Sequence, residues 1–511
     1  MRKLLKALFS QLSIVCILLL LQLLLIVATI FRINEYFIYF DICLKIISLI
    51  TVVIIINRHS NPMYKLAWIV PILIFPMFGG LFYLFITGQM STKFFFKKLK
   101  EIQKSITSNF VQDGKIIEKI KKEHPERIAA VTYVNRVSGG NVYTIDDAEY
   151  FPLGEDKFNS LLAELEKAEK YIFLEYFIIK EGKMWNSILE ILKRKAKEGI
   201  DVRVMYDGMG SLTLLPLSYP KKLRSYGIKC TVFSPFLPFL SAVQNNRDHR
   251  KIIVIDGKTA YTGGINLSDE YINIDYPDGH WKDMAVMVRG KAAFSFAMMF
   301  LHLWQIATKK EEDIKSFIPV FENESKKNTP GYVMPYCDVP QDKYQTGEFI
   351  YLDIINKAKK YVYITTPYLI LDHEMVVSLT NAALSGIDVK IICPHIADHL
   401  YARLAAYSYY KELTEAGVKL YEYIPGFMHG KTFCSDDEVC VIGSINLDYR
   451  SLYLHFECAA WFLDSPIVKD LKDDFEKTLK KCAPITMEHC VKMNPFKKLL
   501  SALLRLFAPL M

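Results

Sequence analysis

Apolar positions follow two patterns along the chain. Before residue 90 they gather in three nearly uncharged runs, residues 7–31, 36–56 and 66–87. At about 1.5 Å of rise per residue, helices of these lengths approach the roughly 30 Å hydrocarbon core of a bilayer. The first run carries no charge and predicts a transmembrane helix. It is longer than the apolar core of a cleaved signal peptide, and no small-x-small site follows it. The second carries Asp41 and Lys45 four residues apart, on one helical face where they can pair or lie near the interface. The third contains Pro71, Pro76 and a Gly79-Gly80 pair, which membrane helices tolerate better than soluble ones. Arg2, Lys3 and Lys6 precede the first run, and Lys93, Lys97, Lys98 and Lys100 follow the third. Positive charge favours the cytoplasmic side, so both flanks ask for it and three crossings cannot satisfy both. The expectation is a multi-pass protein of the plasma membrane, with two or three spans in residues 1–92 and the rest of the chain cytoplasmic.

After a basic linker at 93–129, short apolar runs alternate with amphipathic stretches, the pattern of an α/β protein. The pattern is duplicated. LEKAEKYIFLEYFII at 165–179 parallels IINKAKKYVYITTPYLI at 354–370, and EGIDVRVMYD at 198–207 parallels SGIDVKIICP at 385–394. YGIKCTVF at 226–233 parallels AGVKLYEY at 416–423. The offset runs from 187 residues (198 to 385) to 190 (226 to 416), too long for a solenoid. Two homologous α/β halves are therefore expected, at 130–325 and 326–492. A C-terminal amphipathic helix at 493–511 follows, suited either to a membrane surface or to packing on its own domain.

Composition adds little to this division. A chain of 511 residues, 51% hydrophobic and 23% charged, exceeds one ordinary core. Its net charge of +8 suits an anionic membrane or nucleic acid equally. Among the ten cysteines, Cys16, Cys43, Cys393 and Cys440 lie in apolar runs and no C-x-x-C occurs, so a disulfide framework is not expected. His395 and His399 stand four apart, yet no Glu sits where a zinc protease needs its base. No metal and no cofactor are expected.

The candidate chemistry follows the repeated strands. In the first half His249, Lys251, Asp256, Gly263, Gly264 and Asn266 fit H-x-K-x4-D-x6-G-[GS]-x-N, and in the second His429, Lys431, Asp436, Gly443, Ser444 and Asn446 fit it again. His and Lys two apart share one face of an extended segment, so an imidazole and an ammonium meet one anion together. The glycines admit a second backbone segment, and the Asn amide can donate to the same oxygens. This is the residue set of a phosphate site. Two such faces related by a pseudo-twofold would surround one phosphodiester.

With these motifs, and with YDGMGS at 206–211, GGINLSDEY at 263–271, ITTPYLILD at 364–372 and GSINLDYRSLYLHFE at 443–457, the chain resembles the phospholipase D superfamily over roughly residues 130–490. Within it, those same stretches together with the N-terminal NPMYKLAWIVPILIFPMFGGLFYLFITG make the chain similar to the bacterial cardiolipin synthase branch. The resemblance implies two phospholipase D-type α/β/α halves packed with pseudo-twofold symmetry, behind two to three transmembrane helices. It implies metal-independent, reversible phosphatidyl transfer between two phosphatidylglycerol molecules, giving cardiolipin and glycerol. One histidine forms a phosphohistidine, the other acts as acid and base, and lysines and asparagines hold the phosphoryl oxygens. By analogy His249 is the nucleophile and His429 the acid/base, although the sequence is symmetric here.

Asp256 and Asp436 fall beyond the strand, where a structural or electrostatic role fits best. The carboxylates that orient the imidazoles are sought instead at Asp283 and Glu457, with a solvated strand-end acid as the other reading. Glu175 and Tyr176 suit either a lipid pocket or the core, and Asp448 and Arg450 either pair or touch phosphate. The apolar stretch TVFSPFLPFLSAV at 231–243 has no counterpart in the second half and reads as acyl-chain contact or as a lid. Membrane lipid is the expected partner and nucleic acid is not, since no basic, aromatic-studded groove is evident. The alternatives are a phospholipase D-type hydrolase of phospholipid or nucleic acid, and a non-catalytic membrane protein. Oligomeric state is left open.

Overall fold

The computed structural model describes residues 36–59, 61–87, 112–235, 242–275, 278–321, 329–340 and 344–510, with Lys97, Leu99, Glu101 and Ile102. The first apolar run and the middle of the 231–243 stretch lie outside these residues. The chain divides into two compact units, one of Met1–Lys97, Phe236–Asn246 and Leu506–Met511, the other of Lys98–Pro235 and Arg247–Arg505.

In the smaller unit the second run is one helix, Tyr36–Ile56, and Asp41 and Lys45 pair across one turn at 2.7 Å. The third run departs from the single helix expected over 66–87. It forms two, Pro62–Ile74 and Pro76–Thr87, separated at Phe75. A residue before proline is driven out of the α region, and Phe75 sits at φ −123°, ψ 64°. The glycines then let the helices meet. A Cβ on Gly79 would lie 2.6 Å from Ile72 Cα, and one on Gly80 would lie 2.9 Å from Ser48 Cα. Ile42, Ile46, Leu49, Ile50 and Val53 leave an apolar face exposed along the first of these helices. Among the described residues no helix is long and apolar enough to cross a membrane.

The larger unit is α/β. Its early strands are β1 (Tyr143–Ile145), β2 (Asp147–Phe151), β3 (Tyr171–Tyr176), β4 (Asp201–Asp207), β5 (Lys229–Phe233), β6 (Ile252–Ile255), β7 (Thr259–Gly263), β8 (His280–Lys282) and β9 (Ala285–Arg289). Its later strands are β10 (Thr329–Asp338), β11 (Tyr361–Thr365), β12 (Asp388–Pro394), β13 (Lys419–Tyr423), β14 (Gly426–Met428), β15 (Thr432–Ser435), β16 (Val439–Gly443), β17 (Glu457–Leu463) and β18 (Cys482–Pro484). One sheet runs β2-β9-β7-β6-β3-β4-β5 and the other β1-β10-β17-β16-β15-β11-β12-β13-β18. Without its outermost strands the second sheet repeats the first strand for strand, so the sequence duplication is also a duplication of topology.

Two elements couple the sheets. β1 precedes the first sheet in the chain yet pairs antiparallel with β10 of the second, Tyr143 opposite Val333. The apolar helix Lys291–Thr308 is buried on nearly every side and packs against both β6 and β10. β7 faces β16 and β17 across the interface.

Asp256 and Asp436 close the turns after β6 and β15. Both adopt left-handed conformations, φ 53° and 58°, which Asp tolerates better than most residues. The Asp256 carboxylate accepts the backbone N–H groups of Glu169, Lys170 and Tyr171 at 2.7–2.8 Å. Asp436 does the same for Lys359, Lys360 and Tyr361 at 2.6–3.0 Å. Each clamps the entry of the neighbouring antiparallel strand, β3 or β11. Asp436→Ala should therefore destabilise the larger unit by about 2–3 kcal/mol, the scale for losing charge-assisted bonds to backbone donors. Thermal unfolding followed by circular dichroism should show a lower midpoint, with specific activity of the folded fraction retained.

Candidate active site

The two motif segments lead into β6 and β15, and each is bonded to the opposite half. His249 N–H donates to the Phe456 carbonyl at 2.9 Å, and Phe456 N–H donates to Arg247 at 2.8 Å. In mirror fashion His429 N–H donates to the Lys282 carbonyl at 2.8 Å, beside the parallel pair of β8 and β14. Backbone pairing thus carries each histidine to the other half's acid, Glu457 at the start of β17 and Asp283 between β8 and β9.

The side chains complete the exchange. His249 Nδ1 lies 2.8 Å from Glu457 Oε1, and His429 Nδ1 lies 2.5 Å from Asp283 Oδ2. Gly263 is paired with Ala285 and Gly443 with Ala459, so Asp283 and Glu457, each two residues earlier, are equivalent positions. Both carboxylates are fully buried, which overturns the solvated-acid alternative. An acceptor at Nδ1 fixes the tautomer and leaves Nε2 for chemistry. Lys251 donates to the His249 carbonyl at 2.6 Å and Lys431 to that of His429.

Burial sets the protonation states. It pushes His249 down to about 3, with Glu457 opposing, and His429 down to about 4, with Lys431 adding to the effect. Both imidazoles are neutral at pH 7. Burial also lowers Lys251 to about 8 and Lys431 to about 7, with nearby acids opposing. Burial pushes Glu457 up, but His249, His455 and Lys251 together hold it below the usual carboxylate range.

The remaining candidates divide. Asn266 Oδ1 accepts Ile178 N–H at 3.1 Å, and its amide donates to Tyr271 Oη at 2.7 Å. Asn446 is buried beside Asp448. Ser444 Oγ donates to Glu457, whereas a Cβ on the equivalent Gly264 would lie 2.2 Å from Asp283 Oδ1. Asp256 and Asp436, grouped with the motifs in sequence, stand at the turns and not with the histidines. Asp448 caps the helix Tyr449–Tyr453. Glu175 is buried 3.8 Å from Arg250, and Tyr176 receives a hydrogen bond from Lys157 at 3.1 Å. His395 pairs with Glu422 at 2.8 Å and not with His399.

Several contributors escaped the sequence reading. Arg250 is fully buried and donates to the carbonyls of Glu457, Met299 and Asp338 at 3.2–3.3 Å, tying the halves together. Its position between His249 and Lys251 places it on the opposite face, a signal the H-x-K spacing contained. Lys157 is buried, and burial lowers it to about 7. His455 lies with its ring centroid 5.5 Å from that of His249. Ligand atoms of His249, His455 and Glu457 fall within 4.8 Å of one another, a spacing open to a metal ion. Lys251 interacts with the same carboxylate, and its charge opposes a cation and favours an anion.

Comparison with known proteins bears on family and fold. Residues 161–304 and 351–479 match the family described as cardiolipin synthase, PLD-like domain, and residues 46–86 match the phospholipase D-nuclease N-terminal family. A cardiolipin synthase of Alkalihalophilus pseudofirmus is 34% identical over 92% of this chain and 92% of its own length. An uncharacterized protein of Streptococcus mutans is 44% identical over 90% of this chain and 99% of its own. The crystal structure of a phosphatidylserine synthase from Haemophilus influenzae shares the fold at 13% identity and a TM-score of 0.55, covering 75% of this chain and 97% of that one.

Two lysines titrating near neutrality make a pH prediction. Each must be cationic to hold a phosphate, so kcat/KM should fall as pH rises through about 7 to 8. A bound anion favours the charged lysines, so the same limb in kcat should lie at higher pH. Coincident limbs would assign the titration to other groups.

Proposed function

The chain belongs to the cardiolipin synthase family with PLD-like domains, and from that membership we propose that it joins two phosphatidylglycerol molecules into cardiolipin and releases glycerol. The observation that carries the reading is the pair of exchanged contacts, His249 to Glu457 and His429 to Asp283, between halves that each bring one H-x-K segment. Neutral His249 attacks phosphorus through Nε2, and the bond to the headgroup oxygen breaks as His429 delivers a proton to it. Bound phosphodiester offsets the ammonium charge that depresses His429 and so favours its protonated form. Glycerol leaves. His429 then takes the proton of a second phosphatidylglycerol hydroxyl, which attacks the phosphohistidine and frees His249. Lys251 and Lys431 neutralise the phosphoryl oxygens, with Asn266 and Asn446 as further donors, so the reaction needs no metal.

The family and its N-terminal match support a membrane-associated enzyme. The multi-pass arrangement, with two or three crossings and a cytoplasmic catalytic region, is part of the proposal. It rests on the apolar runs and their basic flanks. The domain limits proposed from sequence stand with it. Substrate and enzyme then share one surface, which raises the local concentration of lipid hydroxyl over what a soluble enzyme meets.

Phosphatidylglycerol vesicles should yield cardiolipin and glycerol in near-equal amounts with little phosphatidic acid, read by lipid chromatography. Dominant phosphatidic acid in undiluted bilayers would make the protein a phospholipase. His249→Ala and His429→Ala should each lower turnover by at least roughly 10²-fold while the protein still partitions with membranes. Activity should persist in excess EDTA. Loss on chelation with recovery by one divalent ion would refute the metal-free scheme.

A further inference from the structure

The equivalence of Asp283 and Glu457 extends two residues upstream, where the pseudo-twofold relates Trp281 to His455. Each ring stands beside one motif histidine. Trp281 is stacked on His429 at 5.7 Å between centroids, and His455 is tilted against His249 at 5.5 Å. Trp281 Nε1 is buried and has no hydrogen-bond partner among the described residues, and the same holds for both ring nitrogens of His455. His455 Nδ1 is 3.8 Å from Glu457 Oε1, too far to bond.

Buried polar atoms in folded proteins are bonded as a rule, and each one left unpaired is destabilising unless a ligand completes it. Here the unpaired donors recur at symmetric positions on both sides of one site. Lys251, Lys431 and the two motif asparagines already give that site the character of an anion receptor. Glu457 is hydrogen-bonded to His249 and Ser444 and meets His455 only through the longer 3.8 Å contact, which influences its carboxyl without giving His455 a bonded partner. The aromatic neighbours of Trp281, Tyr271 at 4.5 Å and Phe427 at 5.2 Å, offer its N–H no acceptor in the ring plane.

We propose that Trp281 and His455 are substrate-binding residues that donate their ring N–H groups to the non-bridging oxygens of the phosphodiester, one from each half. The inference rests on the reading of the two motifs as one phosphate site. The halves then contribute four matched pairs: histidine, lysine, asparagine and a ring N–H. The fourth pair is chemically unequal. Indole only donates, whereas neutral imidazole also keeps an acceptor nitrogen, so the His249 side can accept a hydrogen bond as well as donate one to an oxyanion. The difference gives the two phosphoryl oxygens distinct surroundings in an otherwise symmetric site.

Binding of inorganic phosphate to the full-length protein in phosphatidylcholine nanodiscs tests this without turnover. Trp281→Phe keeps an aromatic ring but removes the pyrrole portion of the indole together with its N–H; His455→Phe removes both nitrogens, and His455→Asn restores a donor and an acceptor, so the His455 pair isolates the hydrogen bond. Calorimetry should show phosphate binding about tenfold weaker in each Phe variant, the scale of one hydrogen bond to a charged group, with most affinity recovered in His455→Asn. In the transfer assay the Phe variants should lose kcat/KM in the same proportion. Phosphate affinity within twofold of the parent in both Phe variants would overturn the proposal. If Trp281→Phe does not fold, the contrast between His455→Phe and His455→Asn decides it, and equal affinities there overturn it. A parent protein that binds phosphate in this pattern but makes no cardiolipin would refute the synthase reading and leave the receptor intact.

Discussion

The chemistry proposed for this molecule depends on carboxylates exchanged between two halves. Neither half holds a complete histidine of the required kind, because the acid that fixes each imidazole tautomer belongs to the other half. The exchange is built into the backbone before any side chain acts, since His249 and Phe456, and likewise His429 and Lys282, are bonded main chain to main chain. Chemistry is therefore conditional on the halves being packed. A covalently linked pair removes the concentration dependence that a symmetric dimer of single halves would face. The price is a buried polar interface that must be satisfied throughout.

Arg250 shows how that requirement is met. Its guanidinium, fully buried, ends on three carbonyls, two of them from the second half. The nearest acids do not neutralise it simply. Burial pushes Glu175 up to about 7 and Asp248 well above the carboxylate range, so the two compete for one proton beside a single cation. Gly430 occupies the corresponding place in the second half, where a Cβ would lie 2.2 Å from Met284 Sδ. One half thus sends a long cation across the interface and the other admits a neighbour's side chain. The same complementarity governs the acids: shorter Asp283 stands against Gly264, which has room for nothing larger, while longer Glu457 is held by the Ser444 hydroxyl.

The duplication was legible from residues because strand and helix periodicities recur in the same order, and the topology repeats it strand for strand. The phosphate motifs were legible because H-x-K spacing needs only an extended segment. Asp283 and Glu457 were found as acids at matching positions, but their exchange was not, since pairing across halves is a property of packing that no local pattern encodes. The same limit hid the insertion of β1 into the second sheet. The third apolar run was read as one helix because hydrophobicity was weighed above Pro76, whose effect on Phe75 is local and strong. His455 and Trp281 were hidden by their unlike chemistry: a histidine and a tryptophan do not look like a repeat until the register of β9 and β17 aligns them.

Charge balance links this geometry to the kind of reaction it supports. Two lysines at the motifs lie near two acids that the histidines already engage, and the ammonium groups donate to backbone carbonyls. Burial lowers both lysines toward neutrality, the mark of a positive site too dry to solvate its own charge. A phosphodiester supplies the missing negative charge and restores the lysines to full protonation. Formation of the phosphohistidine keeps that anion in place after the first alcohol departs. In the proposed reaction, water entering then would have to solvate ions that the protein already holds in fixed positions, whereas a lipid hydroxyl presented by a membrane would need only the assigned base, His429, to take its proton. Preference for transfer over hydrolysis thus follows from the dryness that depresses the four basic groups, and a change that wets the site should weaken phosphate binding and acceptor selectivity together.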